Sequence, residues 1–334
     1  MKNSEDLKKY ISQFENQHIL VFGDVMLDIY HRGSVNRISP EAPVPVVNID
    51  KIVFHPGGAA NVAMNLKSLG AKVDLVGIIG DDTHGEILRH ELDEIGIGTA
   101  GLISVTDRST TAKTRVIAGS QHVVRTDLES RAPISSEVED QLLDFVQSHK
   151  ISASAVILQD YNKGVLQPRG VTEVIDQCRR DEILVTVDPK FEHFFDYRHA
   201  SIVKPNLKEV EQILGRAVKT DEQIRDAGRE LLERLESDYL LITLGDRGME
   251  LFGDGFQSER IPTVARQVAD VSGAGDTVIA TVTMAMTAGA SAEEAAYLGN
   301  LAAGRVCEIV GIAPITLELL NESLSEGKKS GSNQ

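Results

Sequence analysis

Asp270-Val271-Ser272-Gly273-Ala274-Gly275-Asp276-Thr277 sets two acids around a run of small residues, directly before the apolar stretch Val278 to Met286. The apolar stretch reads as a buried helix. The small residues then stand at its mouth, where backbone N–H groups are bare and the helix dipole is positive. Such a mouth holds an anion. Asp276 falls in the first turn, a carboxylate beside a site built for negative charge. The combination suits phosphoryl transfer, with Asp276 as base and the amides of Gly273, Ala274 and Gly275 meeting the developing charge. Taken alone, the stretch reads equally well as an N-cap, Asp270, followed by turn glycines.

Other residues could serve the same chemistry. Gly57-Gly58-Ala59-Ala60-Asn61 opens a second helix. Without a Cβ, Gly57 and Gly58 let a sugar approach the backbone, and Asn61 offers donor and acceptor to hydroxyls, although a plain helix entry explains the stretch as well. Asp24 and Asp28, acceptor-only, suit a polyol or are solvated turn acids. Asn206 and Glu209 share one face of a first helical turn and could orient Mg²⁺-bound water and phosphate oxygens. Their spacing is also that of a capping box, which spacing alone favours. Thr243-Leu244-Gly245-Asp246-Arg247-Gly248 follows an apolar strand and could hold nucleotide phosphates through its backbone. Neither a P-loop nor G-x-G-x-x-G follows the first strand, which disfavours both of those nucleotide-binding schemes. Arg37, Lys113, Arg115, Arg125 and Lys163 would form a phosphate subsite if several converged, and are otherwise solvated surface cations.

These residues need a scaffold that gathers them. Short apolar runs (His18–Phe22, Val73–Ile79, Ala155–Leu158, Leu184–Val187, Ser201–Val203, Tyr239–Thr243) alternate with helical segments near 57–69, 85–94, 137–147, 168–180, 207–214, 221–236, 277–288 and 292–310. The alternation predicts an α/β fold, a mostly parallel sheet with helices on both faces. Ligands bind beyond the carboxyl ends of such strands, and Asp24, Asp28, Asp160, Asp188, Asn206 and Gly245 sit at strand ends. Two segments break the alternation. Pro40, Pro43 and Pro45 exclude a helix in 29–56, and residues 103–127 read as a second hairpin about Gly119, so both are assigned to one lid. Residues 1–334 are expected to form a single domain, with residues 1–17 a short helix or loose arm and 325–334 a disordered polar tail.

The formal net charge of −16 over 334 residues argues against non-specific binding to nucleic acid or to an anionic membrane. An anionic substrate must therefore meet a local cluster of cations. No apolar run approaches the length of a membrane span, and the polar N-terminus lacks a signal-peptide core. Cys178 and Cys307 have no metal-like spacing and read as reduced thiols, so a cytoplasmic enzyme is expected. The Val-rich lid leaves apolar edges that a second copy would cover, which predicts a homodimer through the lid.

Gly57-Gly58-Ala59-Ala60-Asn61-Val62-Ala63, with Gly70 and Gly80 beyond it, resembles the first signature of the ribokinase-like (PfkB) carbohydrate kinases, and Asp270–Thr277 resembles the second. Asn206-x-x-Glu209 is similar to the family's magnesium-associated motif. One departure is Thr281, where many members carry Ala or Gly, and only a packing consequence is expected. Gly23-Asp24-Val25-Met26-Leu27-Asp28, Arg37 to Val47, Pro56–Asn65, Asp160-Tyr161-Asn162-Lys163-Gly164 and Asp188-Pro189-Lys190 further resemble the kinase half of bacterial heptose enzymes of lipopolysaccharide synthesis. The resemblance implies a ribokinase-like three-layer αβα sandwich with a small β-sheet lid. It also implies ATP as co-substrate, Mg²⁺, in some members a monovalent cation, and phosphorylation of D-glycero-β-D-manno-heptose 7-phosphate at O1. By motif, Asp276 would be the base, Gly273, Ala274 and Gly275 the anion hole, and Asn206 and Glu209 would serve the Mg²⁺–phosphate region, Glu209 through water. Thr243, Gly245 and Gly248 would lie near ATP, and Asp28, Gly57, Gly58 and Asn61 would hold the sugar. Asp270 would shape the loop or a nearby cation site. Charge alone assigns the substrate phosphate to Arg37, Lys113, Arg115 or Lys163. With no H-x-G-H motif, the chain looks like a stand-alone kinase. A kinase for another sugar phosphate or a nucleoside, or a non-catalytic sugar- or nucleotide-binding regulator, would use the same scaffold.

Overall fold

The computed structural model describes residues 4–253, 256–264, 269–309, 311 and 313–331. The chain begins with α1 (Ser4–Ile11), β1 (His18–Gly23), β2 (Val25–Ile38), β3 (Pro45–Gly58), α2 (Ala59–Ser68), β4 (Lys72–Gly80), α3 (Thr83–Ile95) and β5 (Gly98–Val105). It continues with β6 (Ala112–Ala118), β7 (Gln121–Leu128), α4 (Ser136–His149), β8 (Ala155–Gln159), α5 (Pro168–Arg180), β9 (Leu184–Asp188) and β10 (Ile202–Val203). It closes with α6 (Leu207–Leu214), α7 (Asp221–Leu235), β11 (Tyr239–Thr243), β12 (Met249–Gly253), β13 (Phe256–Ile261), α8 (Ala274–Thr287), α9 (Ala292–Cys307) and α10 (Leu317–Gly331).

Strands covered on both faces must be apolar at every position, and β1 and β8 are buried throughout. Along β1 the two-residue period sends Ile19 and Val21 into a core shared with α2, α8, α9 and α10. Leu20 and Phe22 face a second core, built with α4, α5 and α7. The large sheet has the order β13-β12-β11-β10-β9-β8-β1-β4-β5, with only the β12 and β13 pairings antiparallel. From β1 the chain moves outward to β4 and β5, then returns to β8 on the other side and continues to β11. The connections leaving β1 and β8 therefore diverge, and a crevice opens at their carboxyl ends.

The second sheet has the order β3-β2-β6-β7. It springs from the mouth of that crevice, because β1 runs through Asp24 straight into β2, and β3 runs straight into α2. Its β2–β6 pairing is parallel and sets Asp28 opposite Lys113 and Tyr30 opposite Arg115. Three expectations need correction. The 103–105 stretch is not part of this sheet. Ile103–Val105 pair with Ile78–Gly80 in the large sheet, burying Leu102 and Val105, so the second hairpin is 112–128. α8 starts at Ala274, because Gly273 caps it, and α9 ends at Cys307. Residues 325–331 continue α10 instead of forming a disordered tail. Leu320 and Leu324, both buried, anchor that helix in the core it shares with α9 and with Leu7 of α1. Residues 332–334 of the expected tail and residues 1–3 of the arm lie outside the described residues. Among the described residues no helix is long and apolar enough to cross a membrane.

Two packing details, one in each core, predict opposite stability changes. Thr281 lies fully buried in α8 with its hydroxyl unpartnered among the described residues. Thr281→Val keeps the shape and removes that penalty, so urea unfolding should show a gain of about 1 kcal/mol. A Cβ on Gly228 of α7 would fall 2.2 Å from the ring of Phe252, which has no room to move. Gly228→Ala should cost roughly 1–3 kcal/mol in the same assay.

Candidate functional site

Gly273 begins the site. Its φ of +79° suits glycine, and a Cβ there would press to 3.1 Å from Asn61 Nδ2. That turn aims the first amides of α8 into the crevice. The N–H of Ala274 closes onto Val271 O at 3.3 Å, whereas those of Gly273, Gly275 and Asp276 meet no acceptor among the described residues. The anion hole expected from 273–275 thus loses Ala274 to the turn and gains the amide of Asp276 itself. Asp270 accepts from Ser272 N–H at 2.9 Å. Burial would raise its carboxyl, but the amides of Ser272, Gly311 and Val271 outweigh that and hold it below the usual range, so Asp270 shapes the loop.

The Asp276 carboxylate is buried and held by three donors. Asn61 Nδ2 donates to Oδ2 at 2.6 Å, and Tyr161 O–H and Gln159 Nε2 donate to Oδ1 at 2.9 and 3.2 Å. Burial and the charge of Asp188 push Asp276 up to about 6, against Asn61, Tyr161 and Lys204. Asp188 pairs with the buried Lys204 ammonium at 3.0 Å, and that ammonium lies 3.5 Å from where a Gly275 side chain would begin. Asn61 Oδ1 and Gln159 Oε1 are buried without partners among the described residues. Beyond Tyr161, the Lys190 ammonium sits 5.3 Å from the ring centroid and pairs with Glu209. Burial opposes the charge of Lys190, but Glu209 and Asp188 outweigh it.

Asn206 and Glu209 form a complete capping box, with Glu209 Oε2 accepting from Asn206 N–H at 2.8 Å and Asn206 Oδ1 accepting from Glu209 N–H at 3.0 Å. With Lys190 on its other oxygen, both Glu209 oxygens already have a partner. Among the described residues no trio of acidic or histidine side chains is set to hold a metal. Mg²⁺ would be held here as a hydrated ion, with Glu209 reaching it through water. Thr243 bridges to Asn206 at the next strand end. A Cβ on Gly245 would meet open space, whereas one on Gly248 would fall 2.1 Å from Ile261 O. Gly248 therefore lets the chain pass close to the end of β13.

Other expected residues divide sharply. Asp24 is not a sugar ligand, because its oxygens accept the amides of Tyr161, Lys163 and Val165 at 2.7, 3.0 and 3.3 Å. Burial and neighbouring Asp160 raise it to about 6. Gly57 and Gly58 must be glycine to bring β3 against β2, since side chains there would fall 2.5 Å from Asp28 Oδ2 and 2.4 Å from Asp24 O. Asp28 pairs with Arg115 at 2.5 Å. Lys113 and Lys163 converge on Glu129 at 3.2 and 2.7 Å, which holds that acid at about 2. Arg37 does not join them. It is exposed near the far end of β2, roughly 30 Å along the strand from Asp28. Arg125 faces Asp127 on β7.

Sequence reasoning missed Gln159, Tyr161, Lys190 and Lys204 as site residues and left Asp188 as one strand end among several. The signal was positional: each lies at or just beyond the carboxyl end of β8, β9 or β10.

The pattern of the pfkB family carbohydrate kinases matches residues 16–316. The bifunctional protein HldE of Geobacter sulfurreducens is 43% identical over 297 residues, 89% of this chain and 61% of that protein. HldE of Desulfatibacillum aliphaticivorans is 41% identical over 316 residues, 95% of this chain and 65% of that protein. The chain spans under two thirds of the length of both. Among solved structures, ribokinase of Arabidopsis thaliana complexed with ribose and ATP superposes with a TM-score of 0.71 at 22% identity, covering 92% of this chain and 98% of that one. Phosphofructokinase-2 of Escherichia coli in complex with fructose-6-phosphate gives 0.76 at 18% identity, covering 93% and 98%. At such identities the likeness shows the ribokinase-like fold. The chain belongs to the pfkB family of carbohydrate kinases, phosphotransferases whose acceptor is a hydroxyl group.

The buried Asp276 carboxylate carries a stability cost with a defined pH signature. An acid raised from 3.8 to about 6 in the fold is penalised only when ionised, so native stability falls as pH rises from about 4 to 6 and stays lowered above. Asp276→Asn removes the charge, and Asn61 can turn its unpartnered oxygen toward the new amide. Chemical denaturation should show the variant about 1–3 kcal/mol more stable at pH 7, with the gain vanishing near pH 4.

Proposed function

We propose that this pfkB-family chain is an ATP-dependent kinase for D-glycero-β-D-manno-heptose 7-phosphate, making the 1,7-bisphosphate for ADP-heptose and lipopolysaccharide synthesis. One observation carries the chemistry. A buried carboxylate, held by Asn61, Gln159 and Tyr161, lies beside the bare amides of Gly273, Gly275 and Asp276 and near the Lys204 ammonium. Asp276 accepts the proton of the anomeric hydroxyl as that oxygen attacks the γ-phosphorus in line, and the bond to the β–γ bridging oxygen breaks to release ADP. At about 6 it is ionised at neutral pH yet more basic than a solvated aspartate. The amides and Lys204 meet charge on the transferring group. Mg²⁺, when bound, neutralises phosphate charge.

The heptose assignment is supported by the residues at 37–47, 160–164 and 188–190 and by the relatives named HldE. Asp28 and the free oxygen of Asn61 suit sugar hydroxyls. Lys113, Lys163 and Arg115 supply cations for a substrate phosphate. Asn206, Glu209, Thr243 and Gly245 line the nucleotide side. The small sheet acts as a lid that excludes water, which would otherwise compete as acceptor. Val35, Ile38, Ile49, Ile52, Val124 and Leu128 are exposed on it, which supports a homodimer formed through the lid. The enzyme works in the cytoplasm, where its sugar phosphate and ATP are found.

Asp276→Ala should lower turnover by about 10²–10⁴-fold with native circular dichroism. Near-normal turnover would remove Asp276 from the mechanism. Turnover of heptose 7-phosphate should exceed that of fructose 6-phosphate and adenosine, and the reverse ranking would reassign the substrate. Light scattering at micromolar concentration should give a dimer, and charged substitutions at Ile38 and Ile52 should give monomer.

A further inference from the structure

We propose that Tyr161 is a positioning residue of the base: its O–H, donated to Oδ1 at 2.9 Å, fixes how the Asp276 carboxylate meets the acceptor hydroxyl. The inference rests on the reading of Asp276 as base. Of the three donors on that carboxylate, Asn61 fixes Oδ2, while Tyr161 at 2.9 Å and Gln159 at 3.2 Å share Oδ1. Gln159 gives one Nε2 hydrogen to Asp276 and the other to Asp188, each at 3.2 Å, so the phenol at 2.9 Å is the closer donor on Oδ1.

The phenol is itself held. Its backbone N–H reaches Asp24 at 2.7 Å, and the Lys190 ammonium lies 5.3 Å from its ring centroid. Asn162, next in the chain, takes φ of +52°, a conformation asparagine tolerates, and its N–H turns back to Asp160 at 2.7 Å. The turn after β8 is thereby fixed on both sides of Tyr161.

The charges facing the carboxylate oppose one another. Asp188 at the end of β9 raises Asp276 and Lys204 beyond β10 lowers it, while α2 contributes only the neutral Asn61. Tyr161 faces Asp276 and Asp188, with Lys190 over its ring. Burial and those two acids push the phenol well above its ordinary range, so it stays a donor throughout the working range.

The test is the pH profile of kcat/KM with ATP and D-glycero-D-manno-heptose 7-phosphate. The wild-type acid limb should lie near pH 6. Tyr161→Phe removes a donor that favours the carboxylate, so the limb should move up by roughly half to one pH unit. The rate at pH 6 should drop about twofold to fivefold more than the rate at pH 8.5, where only the lost orientation is read. Site-specific 3-fluorotyrosine at position 161, a stronger donor of nearly the same size, should move the limb down, and it serves if the Phe variant does not fold. A limb unmoved by both changes, or a rate lowered equally at every pH, overturns the proposal. Asp276→Asn is run in parallel. High turnover in that variant would sink the base assignment itself, whereas an inactive Asp276→Asn beside an unmoved limb would sink only the role of Tyr161.

Discussion

Burying the Asp276 carboxylate costs free energy that only converging donors can offset, and those donors come from distant parts of the chain. Asn61 arrives on the first turn of α2, and Gln159 and Tyr161 from the end of β8, while the charge of Lys204 acts from beyond β10. The offset is incomplete, as the raised pKa of Asp276 records. A fully satisfied carboxylate would be a poor base, and an unsatisfied one would not stay buried. The arrangement lies between these limits, and the whole crossover topology about β1 and β8 serves to hold it there.

A second carboxylate does the joining. Asp24 gathers the amides of Tyr161, Lys163 and Val165, its N–H reaches Gln159 O, and its carbonyl accepts from Ala59. One residue thus ties the end of β1, the loop after β8 and the start of α2. Because β2 leaves from the next residue, the small sheet is rooted at the same point. The position of that sheet and the surroundings of the base are mechanically one problem. A displacement of β2 at its root would pull on the loop that carries Tyr161.

Much of this was legible from residue types. Strands buried on both faces announce themselves as unbroken apolar runs, and the Gly-rich entries to α2 and α8 drew attention to Asn61 and Asp276. Pairing was harder to read. Residues 98–105 alternate like a lid strand, and only the free edge of β4 makes them part of the large sheet. α10 is polar over its second half and is held by Leu320 and Leu324 in its first. Asp24 and Asp28, identical in type and four residues apart, have opposite fates. Three backbone amides surround the first, while the second faces Arg115 across β6. Gln159 and Tyr161 carry no chemical bias of their own. The register aligning Gly23, Gln159 and Asp188 across three strands gives them a role, and register is not a property of any single segment.

In a chain of net charge −16, the cations near the site are not waiting free for an anion. Lys113 and Lys163 share Glu129, Arg115 holds Asp28, Lys190 holds Glu209 and Lys204 holds Asp188. Under the proposed reaction, a phosphate binds by exchanging partners with a carboxylate, and its affinity is a difference between two charged contacts. A phosphate monoester brings up to two charges and three acceptor oxygens, so two ammonium groups converging on one point can favour it over Glu129. A neutral sugar hydroxyl cannot displace that carboxylate. Pre-pairing therefore lowers absolute affinity but sharpens the preference for a phosphorylated substrate. It also keeps the cations ordered and the acidic surface from drawing them elsewhere.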